Sequence, residues 1–363
     1  GNMAASPLSA YMALAMEGEA AAGATREELL DALGTDAGTL RENFALLYRS
    51  AFFEGEKQKA LLSNSIWLAQ ELPVQQACVD TLAEKYFCRS YHTDFAGDSE
   101  GANRAIRRFV KEQTNGLIDQ NFELPAETYF AVINTLYLKD LWNGAGNDLP
   151  LTEETYTFAQ ADGSAAETQL MRGYYASGRP QAGEHFSYFF AETEGGNRLL
   201  FLLPDEGYSV QDVFTEGNIA EAVAADDYGD YNEEKTVHYN TRCLFPAFAA
   251  TYNADVCSLL REHFGVNALF DDSVCDLSAL LGRASGEGTP YACTGIAHVT
   301  KLEVDRGGIE GAAATVAADG ATSAEPIPTE EVYLDFVVDR AFGFAIVDGS
   351  GNTLFSGAVE TLA

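Results

Sequence analysis

The amino-acid sequence predicts an α+β fold in a single domain that covers residues 1–363. Helical periodicity dominates the first part of the chain, a long apolar run from Tyr129 to Leu138 is typical of a central strand buried on both faces, and several short strand patterns follow. A chain that passes through helices before mixed and antiparallel strands belongs to the α+β class. Neither an internal repeat nor a clear linker divides the sequence.

The first helices are predicted from their caps and apolar faces. Ser6 and Ser9 stand ahead of an apolar helix from Tyr11 to Glu17. Thr25, with Glu28 three residues later, predicts a capping box at the start of a second helix.

Later segments alternate between helix and strand patterns. Asn103 to Gln113 has an apolar side and a basic side, and Ala254 to Phe264 also follows a helical period. The strand-like segments are Leu61 to Leu68, Leu199 to Leu203, Val332 to Val338, Phe342 to Asp348 and Thr353 to Val359. We expect Val332 to Val338 and Phe342 to Asp348 to pair as a hairpin.

Composition argues against several classes of partner. The formal net charge is −33, which repels nucleic acid and anionic membranes, and hydrophobic residues make up 47% of the chain, enough for a sizeable core. No apolar run is long enough to span a membrane. The six cysteines match no zinc pattern, so we expect buried free thiols and no metal, with disulfides as the alternative that their even number leaves open. No cofactor is expected.

A run of small residues near the C-terminus is the most informative segment. It follows a strand-like stretch from His298 to Val304 and precedes a polar loop. The run itself is Gly307, Gly308, Ile309, Glu310, Gly311, Ala312, Ala313, Ala314 and Thr315. Such a run is often a linker or a helix. Here it stands between strand patterns, and its small side chains also suit a segment that enters a tight slot in a sheet. The glycines would then act as the hinge.

One short motif points to catalysis only weakly. Gly97 to Gly101 matches the G-x-S-x-G pattern of serine hydrolases at Ser99. The preceding residues are short and polar, whereas a nucleophile elbow follows a buried strand, so an acidic loop that caps a helix is the preferred interpretation. The isolated His298 is interpreted as a structural hydrogen-bonding residue, with a catalytic base as the second choice.

Several separated segments, in order over nearly the whole chain, resemble the serpin family. They are Asn2 to Met16, Asn64 to Leu68, Phe109 to Ile118, Val132 to Trp142, Leu202 to Asp205, Gly265 to Leu280, His298 to Thr315 and Phe355 to Val359. The resemblance implies helices around a large mixed sheet with two smaller sheets and an exposed reactive loop at about 307–330. It also implies a helix ahead of Asn2, which this sequence lacks, and a secreted or cell-surface protein, although the chain carries no signal peptide.

The function that this resemblance implies is suicide inhibition of a serine protease, not enzymatic catalysis. The protease cleaves the loop, becomes covalently attached as an acyl-enzyme, and is carried away as the hinge inserts as a new strand. Family spacing from Gly308 implies a scissile bond at Thr322-Ser323, give or take a residue or two. The small residues there favour an elastase- or subtilisin-like target, and the inhibitor is expected to be a monomer.

The family's control points also carry over to this chain. Ser6, Ser9, Asn134 and His298 match the polar cluster beneath the centre of the sheet, called the shutter, where His298 is expected to bond Asn134. Trp142 matches the breach, where the loop first enters.

Two departures from the family pattern stand at the hinge. Arg306 replaces the usual hinge acid and Ala247 the usual Lys partner, so a familiar salt bridge is absent. Ile309 is larger than the usual Thr or Ser and suits burial. A non-inhibitory serpin, and more distantly a hydrolase that uses Ser99, are the alternatives.

Overall fold

The fold consists of helices packed on both faces of a large sheet, with smaller sheets beside it. The computed structural model describes residues 1–143, 148–225, 237–285, 291–293, 296–311 and 330–362. Its helices are α1 (Pro7–Ala20), α2 (Gly23–Ala32), α3 (Ala37–Ala51), α4 (Gln76–Tyr86), α5 (Ser99–Gln113), α6 (Val210–Val213), α7 (Glu216–Ala224), α8 (Cys257–Phe264) and α9 (Ser278–Leu281).

The strands form one large sheet and three smaller ones. They are β1 (Met3–Ala5), β2 (Phe53–Glu54), β3 (Lys59–Ala69), β4 (Cys88–Thr93), β5 (Phe130–Leu141), β6 (Tyr156–Ala159), β7 (Ala165–Thr168), β8 (Met171–Ser177), β9 (Gln181–Gly183), β10 (Phe186–Glu192), β11 (Arg198–Pro204), β12 (Val237–Phe245), β13 (Phe248–Asp255), β14 (Ala297–Val304), β15 (Gly308–Gly311), β16 (Glu330–Val337), β17 (Phe342–Val347) and β18 (Thr353–Val359).

The central sheet has the order β13-β14-β15-β5-β3-β2, with β4 parallel to β3 and the other neighbours antiparallel. Beside it lie sheets in the orders β1-β18-β17-β11-β10-β9, β16-β12-β8 and β6-β7. This arrangement confirms the predicted α+β fold with a large mixed central sheet.

Helices cover both faces of the central sheet. Side chains alternate along its strands, so each strand presents residues to both faces. On one face, α1 contacts the sheet through Ser9 and Met12, which hydrogen-bond Asn134 of β5. On the other face, Phe109 of α5 packs edge-on against Trp67 of β3, with ring centroids 5.8 Å apart. The apolar residues predicted for α5 are buried as expected.

The predicted cap of α2 is wrong. The residue before the helix is Ala22, which makes no side-chain cap. Thr25 lies inside the helix, where its hydroxyl oxygen accepts from Asp276 N at 2.9 Å, and Glu28 Oε2 accepts from Ala268 N at 2.7 Å. Distant backbone donors therefore engage the two side chains that local sequence assigned to the cap.

The predicted hairpin between Val332–Val338 and Phe342–Asp348 is also wrong. β16 pairs in parallel with β12, whereas β17 lies between β11 and β18 in a different sheet. The intervening Arg340 donates from Nε to Pro204 O at 2.8 Å, so the chain crosses between sheets there. Similarly, Ala254 still belongs to β13, which ends at Asp255, and the helix begins only at Cys257.

Two features of composition appear in the structure as well. Within the ranges described above, no helix is long and apolar enough to cross a membrane. None of the six cysteines forms a disulfide there, and five of them are buried, as predicted.

Candidate functional site

The segment that the sequence singled out as a hinge begins as a strand inside the central sheet. β15 lies between β14 and the C-terminal end of β5, with Ile309 opposite Val304 on one side and Asp140 on the other. Gly308 has φ +153°, and a Cβ there would lie 1.9 Å from Asp140 O. A glycine is therefore required where the hinge enters the sheet.

The two faces of β15 are anchored differently. Ile309 is 1% exposed and belongs to the main core, so its large side chain is used for burial as expected. Glu310 points to the other face, because side chains alternate along a strand, and it is half-buried. Its Oε1 accepts from the Tyr137 hydroxyl at 2.7 Å, and Asn115 Nδ2 donates to the same hydroxyl at 3.1 Å. Burial and the Glu310 hydrogen bond raise the pKa of Tyr137 to about 12.

The predicted breach residue lies at the entrance of the hinge. Trp142 is 2% exposed, and its Nε1 donates to Asp305 O at 2.8 Å. Asp305 Oδ1 in turn accepts from Gly307 N at 2.8 Å. Arg306 donates from Nε to Leu149 O at 2.8 Å. The guanidinium that replaces the usual acid therefore binds a backbone carbonyl, and the turn into β15 is held by Asp305.

Sequence reasoning missed a buried acid beside this entrance. Asp140 is 1% exposed and accepts from the Thr193 hydroxyl at 2.5 Å, Asn197 Nδ2 at 2.7 Å and Gly195 N at 3.0 Å. Burial raises the pKa of Asp140 above its usual range despite these donors. The cluster fixes the turn between β10 and β11 against the end of β5. The one available signal was a carboxylate two residues after the apolar run that ends at Leu138.

The predicted shutter residues form two hydrogen-bonded pairs, each of which joins α1 to a strand of the central sheet. Ser6 is the N-cap of α1, its N–H donates to His298 Nε2 at 3.0 Å, and the Ser9 hydroxyl donates to Asn134 Oδ1. Asn64, which sequence reasoning did not select, accepts from Asn134 Nδ2 at 2.6 Å. Burial lowers the pKa of His298 to about 4, which keeps the ring neutral and Nε2 available as an acceptor.

The expected direct bond between His298 and Asn134 is not formed. Beside these two residues β5 and β14 do not pair with each other. β15 lies between the two strands, but it pairs with them only near their other ends. A cavity of about 230 Å³ lies between the two strands. It is lined by the four shutter residues, by other residues of α1 and by the segment after α5. No strand within the described ranges pairs with the facing edges of β5 and β14 beside this cavity. We call this space the slot.

Other sequence predictions fall away from the slot or outside the described residues. Ser99 is the first residue of α5, and Asp98 caps that helix by accepting from Gly101 N at 2.8 Å, as the acidic-loop interpretation predicted. The hinge residues Ala312 to Thr315 and the bond Thr322-Ser323 lie outside the described residues.

Known proteins resemble this chain over its whole length. The family model described as Serpin (serine protease inhibitor) matches residues 1–362. Putative serpin-Z5 of Oryza sativa subsp. japonica is 27% identical over 392 residues, which cover 99% of this chain and 84% of that protein.

Solved structures share the fold. The native state of tengpin, a thermophilic serpin, gives a TM-score of 0.77 at 23% identity and covers 100% of this chain and 89% of its own. Thyroxine-binding globulin in complex with thyroxine gives 0.77 at 19% identity, with 99% and 93% covered. The chain therefore belongs to the serpin (serine protease inhibitor) family.

Proposed function

We propose that the protein is an inhibitory serpin, which traps a serine protease by inserting its cleaved loop into the slot. The observation that carries this proposal is the position of β15. The first residues of the hinge already occupy the entrance of the space between β14 and β5, and the slot continues below them.

Insertion releases free energy because the slot offers unmade backbone hydrogen bonds. An added strand pairs with the facing edges of β5 and β14, so the intact protein holds a conformation that cleavage relaxes. The side chains of β15 and of the residues after it suit this path. Ile309 enters the core, and the next residues on that face are Gly311, Ala313 and Thr315, which are small.

The proposed control points act where the strands must separate. Ser6 and His298 join α1 to β14, whereas Ser9 and Asn134 join α1 to β5. Insertion of a strand between β5 and β14 places it beside this cluster. Trp142 and Asp305 hold the turn from which the loop leaves β14.

The proposed target is an elastase- or subtilisin-like protease. The residues around the proposed bond Thr322-Ser323 are small, which suits a shallow specificity pocket. A trypsin-like pocket requires Lys or Arg, and neither occurs between Arg306 and Arg340. The complex is expected to be a covalent acyl-enzyme with a monomeric inhibitor.

Incubation with pancreatic elastase and, separately, with trypsin tests this function. We expect a complex that survives denaturing electrophoresis with elastase and none with trypsin, with mass spectrometry of the released C-terminal peptide locating the cut. A complex formed with trypsin alone would overturn the target assignment. Cleavage by elastase with no complex would instead favour the second candidate, a non-inhibitory serpin.

A ligand-carrying serpin is a specific form of that second candidate. A structural neighbour, thyroxine-binding globulin, was solved with thyroxine bound. The observation that favours such a function here is the cavity of about 230 Å³, most of whose lining is apolar. Trapping remains the preferred proposal because β15 already lies in the sheet.

A further inference from the structure

One buried acid of the molecule has no hydrogen-bond donor in the part of the chain that the structure describes. Glu17, in the C-terminal half of α1, is 8% exposed, and its Oε2 has no partner there. A carboxylate in such surroundings is costly to ionise unless a donor or a cation reaches it. The trapping mechanism proposed above assigns no role to this side chain.

Within the described residues, no cation forms an ion pair with Glu17. Arg26 of α2 pairs with Glu19 at 3.4 Å, although its Nε and Nη2 make no hydrogen bond. The Tyr291 hydroxyl donates to Arg283 O. Cys275, whose pKa is raised to about 12 by burial and by the nearby Glu17 charge, stays a neutral thiol. These groups therefore leave the Glu17 carboxyl without a positive partner.

Glu17 lines the cavity that forms the slot. The volume of about 230 Å³ exceeds by an order of magnitude the roughly 10–15 Å³ that one water requires on this measure. The apolar side chains that line it include Leu14, Phe130, Val256, Leu277, Leu281 and Ile296. Two more charged side chains line it, but Glu127 is exposed and Lys301 is only half-buried and pairs with Glu303 at 2.8 Å. Glu17 is therefore the buried carboxylate of a mostly apolar cavity, and an apolar cavity with few polar groups is the usual make-up of a small-molecule site.

We propose that this cavity binds a small apolar amine, whose ammonium group pairs with the Glu17 carboxylate while its hydrocarbon part packs against the apolar lining. An ammonium supplies both a hydrogen-bond donor and an opposite charge, which a neutral alcohol or an anion cannot do together. An organic acid is disfavoured, because its carboxylate and the Glu17 carboxylate carry the same charge.

Two further observations agree with binding of an amine in this cavity. Burial raises the pKa of Glu17 to about 7, so near neutral pH the carboxyl releases its proton easily when a cation enters. The partly inserted hinge also leaves the cavity unfilled, because β15 pairs with β5 at Leu138 to Leu141 and the cavity borders β5 at lower residue numbers.

Titration calorimetry on the full chain tests the proposal with three probes of one shape, 2-phenylethylamine, 2-phenylethanol and 3-phenylpropionate. We expect one-site binding of the amine at neutral pH, with the alcohol weaker by about tenfold or more and the acid without detectable binding. This comparison needs no variant. Equal binding of the amine and the alcohol, or no binding of the amine, would overturn the proposal.

A matched pair of variants then locates the site. Glu17→Gln keeps the side-chain volume and removes the charge, and we expect it to weaken amine binding by about tenfold. Glu127→Gln makes the same change on an exposed side chain at the rim of the cavity and is expected to change affinity by less than about twofold. A larger loss in the Glu127 variant than in the Glu17 variant would place the amine outside the proposed site and refute it.

Discussion

Tyr137 donates its hydroxyl proton to Glu310 over 2.7 Å, and this bond ties the first inserted residues of the hinge to the neighbouring strand β5. Asn115, just beyond α5, donates to the same hydroxyl. On the opposite face Ile309 is buried in the core. The entrance of the slot is therefore closed by a short strand that is held from both sides, and the properties of that strand can be tested directly.

Removal of the Tyr137 hydroxyl should loosen the hinge. Tyr137→Phe deletes the bond to Glu310 without opening a cavity, which costs about 1 kcal/mol and should speed hydrogen exchange at the β15 amides by about fivefold. Tyr48→Phe is the matched control, since it removes a hydroxyl that donates to Leu62 O of β3 and not to a residue of the hinge. If both variants left exchange at β15 unchanged, the bond would not stabilise the inserted position.

A methyl group at Gly308 should expel the hinge from the sheet. Gly308→Ala places a Cβ against Asp140 O in a backbone conformation that side chains disfavour, at a cost of about 2 kcal/mol or more. We expect β15 to lose its protection from hydrogen exchange. In Gly307→Ala, the nearest atom to the new Cβ is Asp305 Oδ1 at 3.3 Å, so this control should retain β15. Equal effects of the two substitutions would mean that the contact with Asp140 does not set the position.

Acid should weaken the shutter through His298. Its pKa is about 4 in the fold and about 6.5 in an unfolded chain, so the unfolded chain binds more protons between these values. The resulting stability, about 3 kcal/mol, is present above pH 6.5 and is lost as the pH falls towards 4. Protonation of Nε2 also removes the acceptor for Ser6 N–H.

Thermal melts between pH 7 and pH 4 measure this effect as a fall in the midpoint. We expect His298→Gln to flatten that fall, and His263→Gln, at an exposed histidine of α8, to leave it unchanged. A fall of the same size in the His298 variant as in the natural chain would assign the acid sensitivity to other groups.

Proline in the inserting segment should convert an inhibitor into a substrate. Ala313→Pro removes a backbone donor that the new strand needs, so the loop is still cut but insertion stalls. Denaturing electrophoresis after elastase treatment should show cleaved protein in place of covalent complex. Ala313→Ser keeps the donor and should still form the complex. Undiminished complex formation by the proline variant would contradict the insertion account.

Much of the central architecture was predictable from local pattern. The apolar run that became β5 and the amphipathic stretch that became α5 are long segments whose periodicity reports burial directly. The alternation that placed Ile309 and Glu310 on opposite faces is likewise a property of any strand. The errors arose where a local signal was overridden, as at Thr25, whose hydroxyl bonds a backbone N–H some 250 positions away.

The amino-acid sequence by itself determined the α+β class, the apolar run of β5, the amphipathic pattern of α5 and the small side chains of the hinge. The resemblance to the family indicated the polar residues of the proposed shutter. Only the tertiary structure decided how far β15 enters the sheet, that Arg306 binds Leu149, that Asp140 holds the β10–β11 turn, and that His298 bonds Ser6 and not Asn134. The physical reason is range: propensity and alternation act between near neighbours, whereas these contacts depend on the distance between segments that only the packed core brings together.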